Sequence, residues 1–241
     1  MKIVLPKEHG TWLMIILPFT LGAAITEFRW LHIPFFIGWF FIYLSATPWL
    51  NQLRNKRLRK KMRPWAFGYS IIGLLFAVPV MIVFPQLFLL SLAIIPFFLI
   101  NIFFVLRKKE RNLLNDISGI AILSLGLPAA YIIGTNALTL TATILWLIVI
   151  VHFTGSAFYV KSLIRERRNR RFRQLSHLYH ALLLILPWSI GYGTLMWMYV
   201  PSALRDFITP RGKVMRPIVI GIIEIFTSTI FFILILLLYP F

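Results

Sequence analysis

The sequence predicts an all-α, polytopic transmembrane helical bundle of eight or nine segments, forming a single transmembrane domain over residues 1–241. Three observations support this fold class. Hydrophobic residues make up 59% of the chain, and its mean hydropathy is +0.84. Only 13% of the residues are charged, which is about half the share found in an average soluble domain. The basic residues stand in short blocks between apolar stretches that are long enough to cross a bilayer.

Eight apolar stretches are the candidate segments, because a span needs about 20 mostly apolar residues. They cover residues 11–28, 33–50, 65–84, 87–106, 116–135, 138–160, 177–204 and 217–239. Five of them contain an internal proline, at Pro18, Pro79, Pro96, Pro128 and Pro187. Proline removes a helical hydrogen bond, so each of these positions predicts a kink.

The distribution of Lys and Arg predicts the topology. Two stand before the first span, seven in residues 51–64, four in 107–114, seven in 161–173 and four in 205–216. Since cytoplasmic loops carry an excess of basic residues, the pattern predicts a cytoplasmic N-terminus and a basic cytoplasmic face. A single crossing by residues 177–204 would export the last block. Two short arms that break around residues 187–193 would return it and give nine segments; eight is the alternative.

The formal charge of +18 raises the question of a partner. In a soluble chain this charge suggests nucleic acid. Here the bases lie between membrane spans, where they attract anionic headgroups by about 1 kcal/mol each. We therefore expect anionic lipids, and no nucleic acid, as partners. The chain has no Cys, so Cys-ligated metal is excluded, and no spacing of His or acids indicates a metal site or a cofactor.

Polar residues at membrane depth are the candidates for a site. Glu224 lies inside the last apolar stretch, where a charged carboxylate costs about 2.5 to 3.5 kcal/mol, so it should face the bundle and be protonated or paired. His152, Ser156 and Tyr159 share a helical face and predict an inward polar stripe. It could line a cavity or form hydrogen bonds between helices. The full candidate set is Glu8, His9, Asn51, His152, Tyr159 and Glu224.

The two seven-base blocks predict a rim that binds anions. Arginine side chains bind phosphate or carboxylate groups directly, by charge-assisted and often bidentate hydrogen bonds. The bases that we assign to this rim are Arg54, Arg57, Lys161, Arg165 and Arg168. The alternative is that they serve only as topology signals and lipid anchors.

Three stretches carry a family resemblance. PKEHGTW near the start, FYVKSLIRERRN in the middle and RGKVMRPIVIGIIEI near the end resemble the YwiC-like family of bacterial integral membrane proteins. The similarity covers essentially the whole chain, and the ordered combination is fairly specific. The resemblance implies a multi-pass protein of the bacterial cytoplasmic membrane, and it brings no reaction with it.

A remoter similarity is to the UbiA-type prenyltransferase bundle, which has nine helices and two cytoplasmic active-site loops. In that bundle Asp-rich loops hold Mg²⁺ against a diphosphate. The equivalent loops here, 51–64 and 161–173, contain no acid and only Glu166, respectively. The resemblance therefore does not extend to Mg²⁺-dependent prenyl transfer, and whether the protein is an enzyme stays open.

Three functions are compatible with the sequence. The first is handling of a lipid, an isoprenoid or another amphiphilic anion near the basic cytoplasmic face. The second is transport of a small solute, which predicts broken helices beside Glu224 or His152. The third is a non-catalytic subunit or assembly partner of a membrane complex.

Overall fold

The structure, a computed structural model, describes residues 3–6, 10–189, 191–211 and 214–239. Within these residues the chain is α-helical and has no strand, which confirms the all-α class. The helices are α1 (Gly10–Ala24), α2 (His32–Arg54), α3 (Arg59–Val83), α4 (Gln86–Leu92), α5 (Ile94–Leu106), α6 (Leu113–Ser124), α7 (Gly126–Thr135), α8 (Leu140–Ile164), α9 (Arg170–Ser189), α10 (Val200–Ile208) and α11 (Pro217–Leu238). Two 3₁₀ helices, Lys56–Leu58 and Gly193–Met198, complete the described elements.

Among the described residues, six helical stretches are long and apolar enough to cross a membrane. They are His32–Arg54, Lys56–Val83, Gln86–Leu106, Leu113–Thr135, Leu140–Ile164 and Pro217–Leu238. The fifteen-residue α1 is a shorter apolar helix. The protein is therefore a multi-pass membrane protein, as its composition predicts, whereas the count of eight or nine segments stays a prediction.

The predicted segment 177–204 is not one helix. Helix α9 begins earlier, at Arg170, and ends at Ser189. The chain then passes into the 3₁₀ helix Gly193–Met198 and the nine-residue α10. The break falls where two short arms were expected to separate, but the second arm is too short to span a bilayer.

Two prolines separate helices rather than merely kinking them. Pro96 and Pro128 stand at the third position of α5 and α7, directly after breaks at Ala93 and Leu125. Proline has no N–H for the carbonyl four residues earlier, and the first turn of a helix tolerates this loss. Pro18, Pro79 and Pro187 stay inside continuous helices.

The chain forms two compact units, Met1–Ile150 and Val151–Phe241, which we call the N-terminal and C-terminal units. The prediction of a single domain stays a prediction. In the N-terminal unit, α2 and α3 approach closely at Gly38, where an added Cβ would lie 2.7 Å from the Ala77 nitrogen and 2.8 Å from the Gly73 oxygen. Buried aliphatic and aromatic side chains, including Phe19, Phe35 and Trp39, fill the core of this unit.

The C-terminal unit is built differently, since charged and hydroxyl side chains lie in its interior. It contains the second half of α8 together with α9, α10 and α11. Its small apolar cluster consists of Tyr159, Leu163 and Ile220. Most of the polar groups predicted from the apolar stretches fall in this unit.

Candidate functional site: a buried ion-pair cluster in the C-terminal unit

Helix α10 supplies the central side chains of the candidate site. Its buried face carries Ser202, Ala203, Arg205 and Asp206, whereas Leu204, Phe207 and Ile208 are exposed. Because 3.6 residues make one turn, this nine-residue helix presents one polar and one apolar face. The adjacent Arg205 and Asp206 each bind a group of the opposite charge. We call Arg205, Asp206, Arg211 and Glu224 the ion-pair cluster.

Arg205 and Glu224 form the first buried pair of the cluster. Arg205 Nη1 donates to Glu224 Oε1 at 2.5 Å and to Thr227 Oγ1 at 2.8 Å. Arg205 Nη2 donates to Ser156 Oγ at 3.5 Å. The side chains of Arg205 and Glu224 are 3% and 10% exposed. Glu224 is therefore buried and paired, which the cost of a lone carboxylate at this depth predicts.

Asp206 is the centre of the second pair and is fully buried. Its Oδ1 accepts hydrogen bonds from Ser176 Oγ at 2.8 Å and from Arg211 Nη2. Its Oδ2 lies 2.6 Å from His177 Nδ1 and 3.6 Å from His180 Nδ1. The His177 side chain is 32% exposed, whereas His180 is fully buried. Asp206 is thus held on both oxygens, and one of its partners reaches the surface.

Tyr159 contacts one arginine from each of the two ion pairs. Its ring centroid lies 4.2 Å from the Arg205 guanidinium carbon and 5.1 Å from that of Arg211, both within the range of cation–π attraction. The Thr209 hydroxyl donates to the Arg205 carbonyl at 2.7 Å, so Tyr159 OH donates to Thr209 Oγ1 at 3.0 Å. One aromatic ring therefore faces two buried cations.

Arg211 binds a backbone group as well as a carboxylate. Besides Asp206, it donates from Nη1 to the Thr209 carbonyl at 2.9 Å. Burial lowers the pKa of the Arg211 guanidinium below its ordinary value, while the Asp206 carboxylate acts in the opposite direction. An arginine pKa lies so far above neutrality that the group stays protonated, so Arg211 is a permanent cation in the cluster.

His152 lies deeper along α8 than Tyr159. Its Nε2 is 3.1 Å from Ser228 Oγ, and its ring stacks on Phe231 with centroids 3.9 Å apart and planes at 12°. His152, Ser156 and Tyr159 are all buried, which confirms the predicted inward polar stripe. Ser156 and Tyr159 contact the cluster through Arg205.

The cluster lies at one end of the C-terminal unit. Tyr159 is five residues before the end of α8, and Glu224 is seven residues after the start of α11. At 1.5 Å per residue these positions are about 8 and 10 Å from their helix ends. The same end of α8 leads directly into the seven-base segment 161–173. His152, about 18 Å from that end, is near the middle of α8.

Several buried polar atoms near the cluster have no hydrogen-bond partner among the described residues. They are Arg205 Nε, Arg211 Nε, Ser202 Oγ, His180 Nε2 and His152 Nδ1. Native interiors satisfy about nine in ten of their buried polar groups, and an exception calls for a water, an ion or a function. The unmet donors on both arginines are the most informative of these atoms, because each belongs to a cation.

The remaining predicted site residues do not join the cluster. Glu8 and His9 lie outside the described residues. In the N-terminal unit, Asn51 is half-buried near the end of α2, Arg54 donates to Glu110 at 3.3 Å, and Arg57 is exposed.

The rim residues of the C-terminal unit differ in exposure. Arg165 and Arg168 are exposed, as expected for a rim that binds anions, whereas Lys161 is buried. Across the described part of the chain, His and acidic side chains form no group of three or more that could hold a metal ion.

The sequence did not single out Arg205, Asp206 and Arg211 as site residues. Both arginines entered only the count of bases in residues 205–216, whereas the structure shows them buried and paired. A signal was available, since Asp206 is one of only seven acids and directly follows Arg205. The polar composition of the segment concealed that a short amphipathic helix runs through it.

Relatives with similar sequences cover nearly the whole chain. The family model described as YwiC-like protein matches residues 5–131. The Uncharacterized protein YwiC of Bacillus subtilis (strain 168) is 36% identical over 231 residues, which is 96% of each chain. An uncharacterized protein of Haemophilus influenzae (strain ATCC 51907 / DSM 11121 / KW20 / Rd) is 32% identical over 238 residues, or 98% of each chain. No solved structure matches.

Proposed function

This chain belongs to the YwiC-like family, and on that premise we propose that it is a cytoplasmic-membrane protein that binds an amphiphilic anion. The ligand class is a lipid, an isoprenoid or a similar apolar molecule with a phosphate or carboxylate head. Arg205 and Arg211 would hold that head. The similarity to the UbiA-type bundle stays a prediction, and the proposal does not depend on it.

The observation that carries the proposal is the pair of buried guanidinium groups facing one tyrosine ring. Arg205 and Arg211 both lie over Tyr159, and both keep an unpaired Nε. A guanidinium offers five donors in a planar fork that matches phosphate and carboxylate oxygens. Buried charge is costly and is retained in membranes mainly at functional sites. Two such forks with unmet donors support recognition of an anion.

The segment beside the cluster supports access for an anion from the membrane surface. Residues 161–173 carry seven bases and one acid, so they raise the local concentration of anionic headgroups. By the positive-inside tendency we assign this segment, and with it the adjacent end of the C-terminal unit, to the cytoplasmic side. An amphiphile could then reach the arginines with its head while its chains stay in the bilayer.

Binding requires one carboxylate to leave its arginine, and Glu224 is the better candidate. Asp206 accepts from Ser176 and Arg211 and lies beside two imidazoles. The side chain of Glu224 contacts Arg205 alone among the described partners. Because the two arginines and two acids balance in charge, an arriving anion is best accommodated if the Glu224 carboxylate leaves Arg205. The Arg205 fork then binds the ligand head.

The test is native mass spectrometry of the protein purified in a mild detergent, with extraction and identification of lipids that co-purify. We expect an anionic amphiphile on the wild-type protein and about a tenfold loss in Arg205→Lys, since lysine keeps the charge but lacks the fork. Arg216→Lys, at an exposed position, is the matched control and should retain the ligand. Equal ligand occupancy in all three proteins would contradict the proposal.

A second candidate is proton-coupled transport of a small anion, which one specific observation favours. Titratable groups follow one another from the partly exposed His177 through Asp206 to the buried His180. His152 is deeper, near the middle of α8. Such a series is typical of proton relays in transporters. The test is reconstitution into liposomes with an entrapped pH dye, where an imposed potential should drive proton uptake that His180→Gln abolishes.

A further inference from the structure

A basic cleft in the N-terminal unit lies between the segment that follows α2 and the segment that follows α5. The cleft has a volume of about 670 Å³. The residues that line it are Arg54, Asn55, Arg57, Lys108, Glu110 and Arg111. They come from two connections that are more than 50 residues apart in the chain, so tertiary structure brings them together.

The cleft is strongly unbalanced in charge. The residues that line it include four cations and one acid, Glu110, and carry a formal charge of +3. Glu110 lies 3.3 Å from Arg54, with both side chains partly exposed. Solvated bases spread over a surface would avoid one another, because like charges at short range repel. Their convergence favours an anion that carries more than one negative charge.

The backbone at Lys108 is the most informative feature of the cleft. Lys108 has φ of +55°, in the left-handed region. Its N–H bonds to the Val105 carbonyl at 3.0 Å, and the Lys109 N–H bonds to the Phe104 carbonyl at 2.9 Å. This pattern is the Schellman motif that ends α5, and its left-handed position is usually Gly, since other side chains are strained there.

Asn136 adopts the same backbone conformation as Lys108 but tolerates it better. Asn136, which ends α7, also has a positive φ, of +59°. Asparagine adopts this conformation readily, because its short polar side chain bonds to the nearby backbone. Lysine has no such compensation. A strained residue in a well-formed motif is a reason to look for a function of its side chain, and Lys108 is one of the residues that line the cleft.

Helix α5, which leads into the cleft, is apolar and mostly exposed. The span Gln86–Leu106 has a mean hydropathy of 2.7 in its most apolar window, and only 11% of that window is buried. Leu99, Phe103 and Leu106 are exposed along it, and the Arg107 guanidinium carbon lies 4.9 Å from the Phe103 ring centroid. Acyl chains can therefore lie along α5 directly beside the basic cleft.

We propose that this cleft binds two neighbouring phosphate groups, carried either by a lipid headgroup or by a soluble diphosphate. Arg54, Arg57, Lys108 and Arg111 supply the positive charge, and the ammonium group of Lys108 is the reason that Lys stands where Gly fits better. The site shares no residue with the ion-pair cluster, so either proposal can fail without the other.

The decisive variant is Lys108→Gly. If the Lys108 side chain is retained for binding, this variant should be more stable than the wild type but should bind phosphate more weakly. Glycine relieves the strained φ, so the Tm in detergent should rise by about 2 °C. Losing one cation near the surface should weaken phosphate binding about fivefold. The matched control is Lys109→Gly. It removes the same charge from the next residue of the chain, which does not line the cleft. It should leave binding within twofold and should not raise the Tm.

Binding is measured with the whole protein in nanodiscs by three probes: cardiolipin, phosphatidylglycerol and inorganic diphosphate. Preference for cardiolipin over phosphatidylglycerol, unaffected by excess diphosphate, assigns the site to a lipid with two phosphates. Displacement of cardiolipin by millimolar diphosphate assigns it to the soluble anion. If neither doubly phosphorylated probe binds, or if Lys108→Gly binds them as tightly as Lys109→Gly, the proposal is overturned.

Discussion

The two units of this protein hold their helices together in different ways. In the N-terminal unit, α2 and α3 meet where Gly38 leaves no room for a side chain, and Gly73 and Ala77 face it. In the C-terminal unit, α10 is tied to α11 by Arg205 and Glu224. It is tied to α9 by the bonds between Asp206 and Ser176 or His177.

The difference follows from what a bilayer offers. Lipid tails are as apolar as leucine, so helices in lipid associate by close packing of small residues or by polar contacts. Close packing at glycine costs little free energy, and it provides no polar group that could bind a ligand. Ion pairs are costly to bury, and hydrophobic replacements often equal them in stability. The buried charges of the C-terminal unit therefore cost free energy that close packing of apolar residues would not. For this reason we place the candidate functional site in that unit.

The largest expected effect is the loss of a buried counter-charge. Glu224→Gln leaves the Arg205 cation buried without its carboxylate and should lower the free energy of unfolding by about 3 to 5 kcal/mol. In the N-terminal unit, Glu110→Gln disrupts the partly exposed pair with Arg54 and should cost at most about 1 kcal/mol. Thermal unfolding in detergent, followed by tryptophan fluorescence, compares the two variants.

The double variant Arg205→Leu/Glu224→Leu separates stability from function. Replacing both charges by apolar groups should recover most of the stability lost in Glu224→Gln, yet binding of the amphiphilic anion should stay lost. A double variant that is as stable as wild type and keeps its ligand would show that the pair is only structural. Equal stability of Glu224→Gln and wild type would show that Glu224 is not charged in the resting protein.

The next effect concerns the glycine contact. Gly38→Ala forces a methyl group against the backbone of α3 and should cost about 1 to 3 kcal/mol. Gly68→Ala, in α3, has no atom within 4 Å of its added Cβ and should gain up to about 1 kcal/mol from helix propensity. The two variants make the same Gly→Ala change, but their expected effects on the free energy of unfolding have opposite signs. An unfolding temperature of Gly38→Ala that equals or exceeds that of the wild type would argue against close packing at Gly38.

The smallest effect on stability is expected from single exposed cysteines that report topology. Because the chain has no Cys of its own, only the introduced cysteine can be labelled. Lys61→Cys and Arg168→Cys, exposed positions in the two units, should resist an impermeant thiol reagent in intact cells. Leu138→Cys, in the connection after α7, should react. Arg168 is preferred to Asn169 because the Asn169 side chain accepts from the Phe172 N–H at the start of α9. Labelling of either basic segment would overturn the proposed orientation.

Local patterns predicted a large part of the candidate site. The spacing of His152, Ser156 and Tyr159 gave an inward face because helix geometry depends only on neighbours in the chain. Glu224 was recognisable because a carboxylate within an apolar run must be compensated. The partner of Glu224 was not recognisable, since Arg205 lies 19 residues away in a polar segment that resembles a loop.

Other features depended on contacts between distant residues. Asp206 binds Ser176, 30 residues earlier in the chain, and the cleft joins Arg54 to Glu110, 56 residues apart. No periodicity in either segment encodes these distances. The positive charge of Arg54, Arg57, Lys108 and Arg111 was visible in the sequence, but the meeting of these residues in one cleft was not.

The sequence by itself determined that this is a helical, multi-pass membrane protein of the YwiC-like family with basic connections, because hydropathy and charge act residue by residue along each segment. Only the tertiary structure decided which bases are solvated and which are buried. Burial of Arg205 and Arg211 is tolerable only where Glu224 and Asp206 lie within hydrogen-bonding distance. Such compensation depends on both partners at once, so it exists only after the chain has folded.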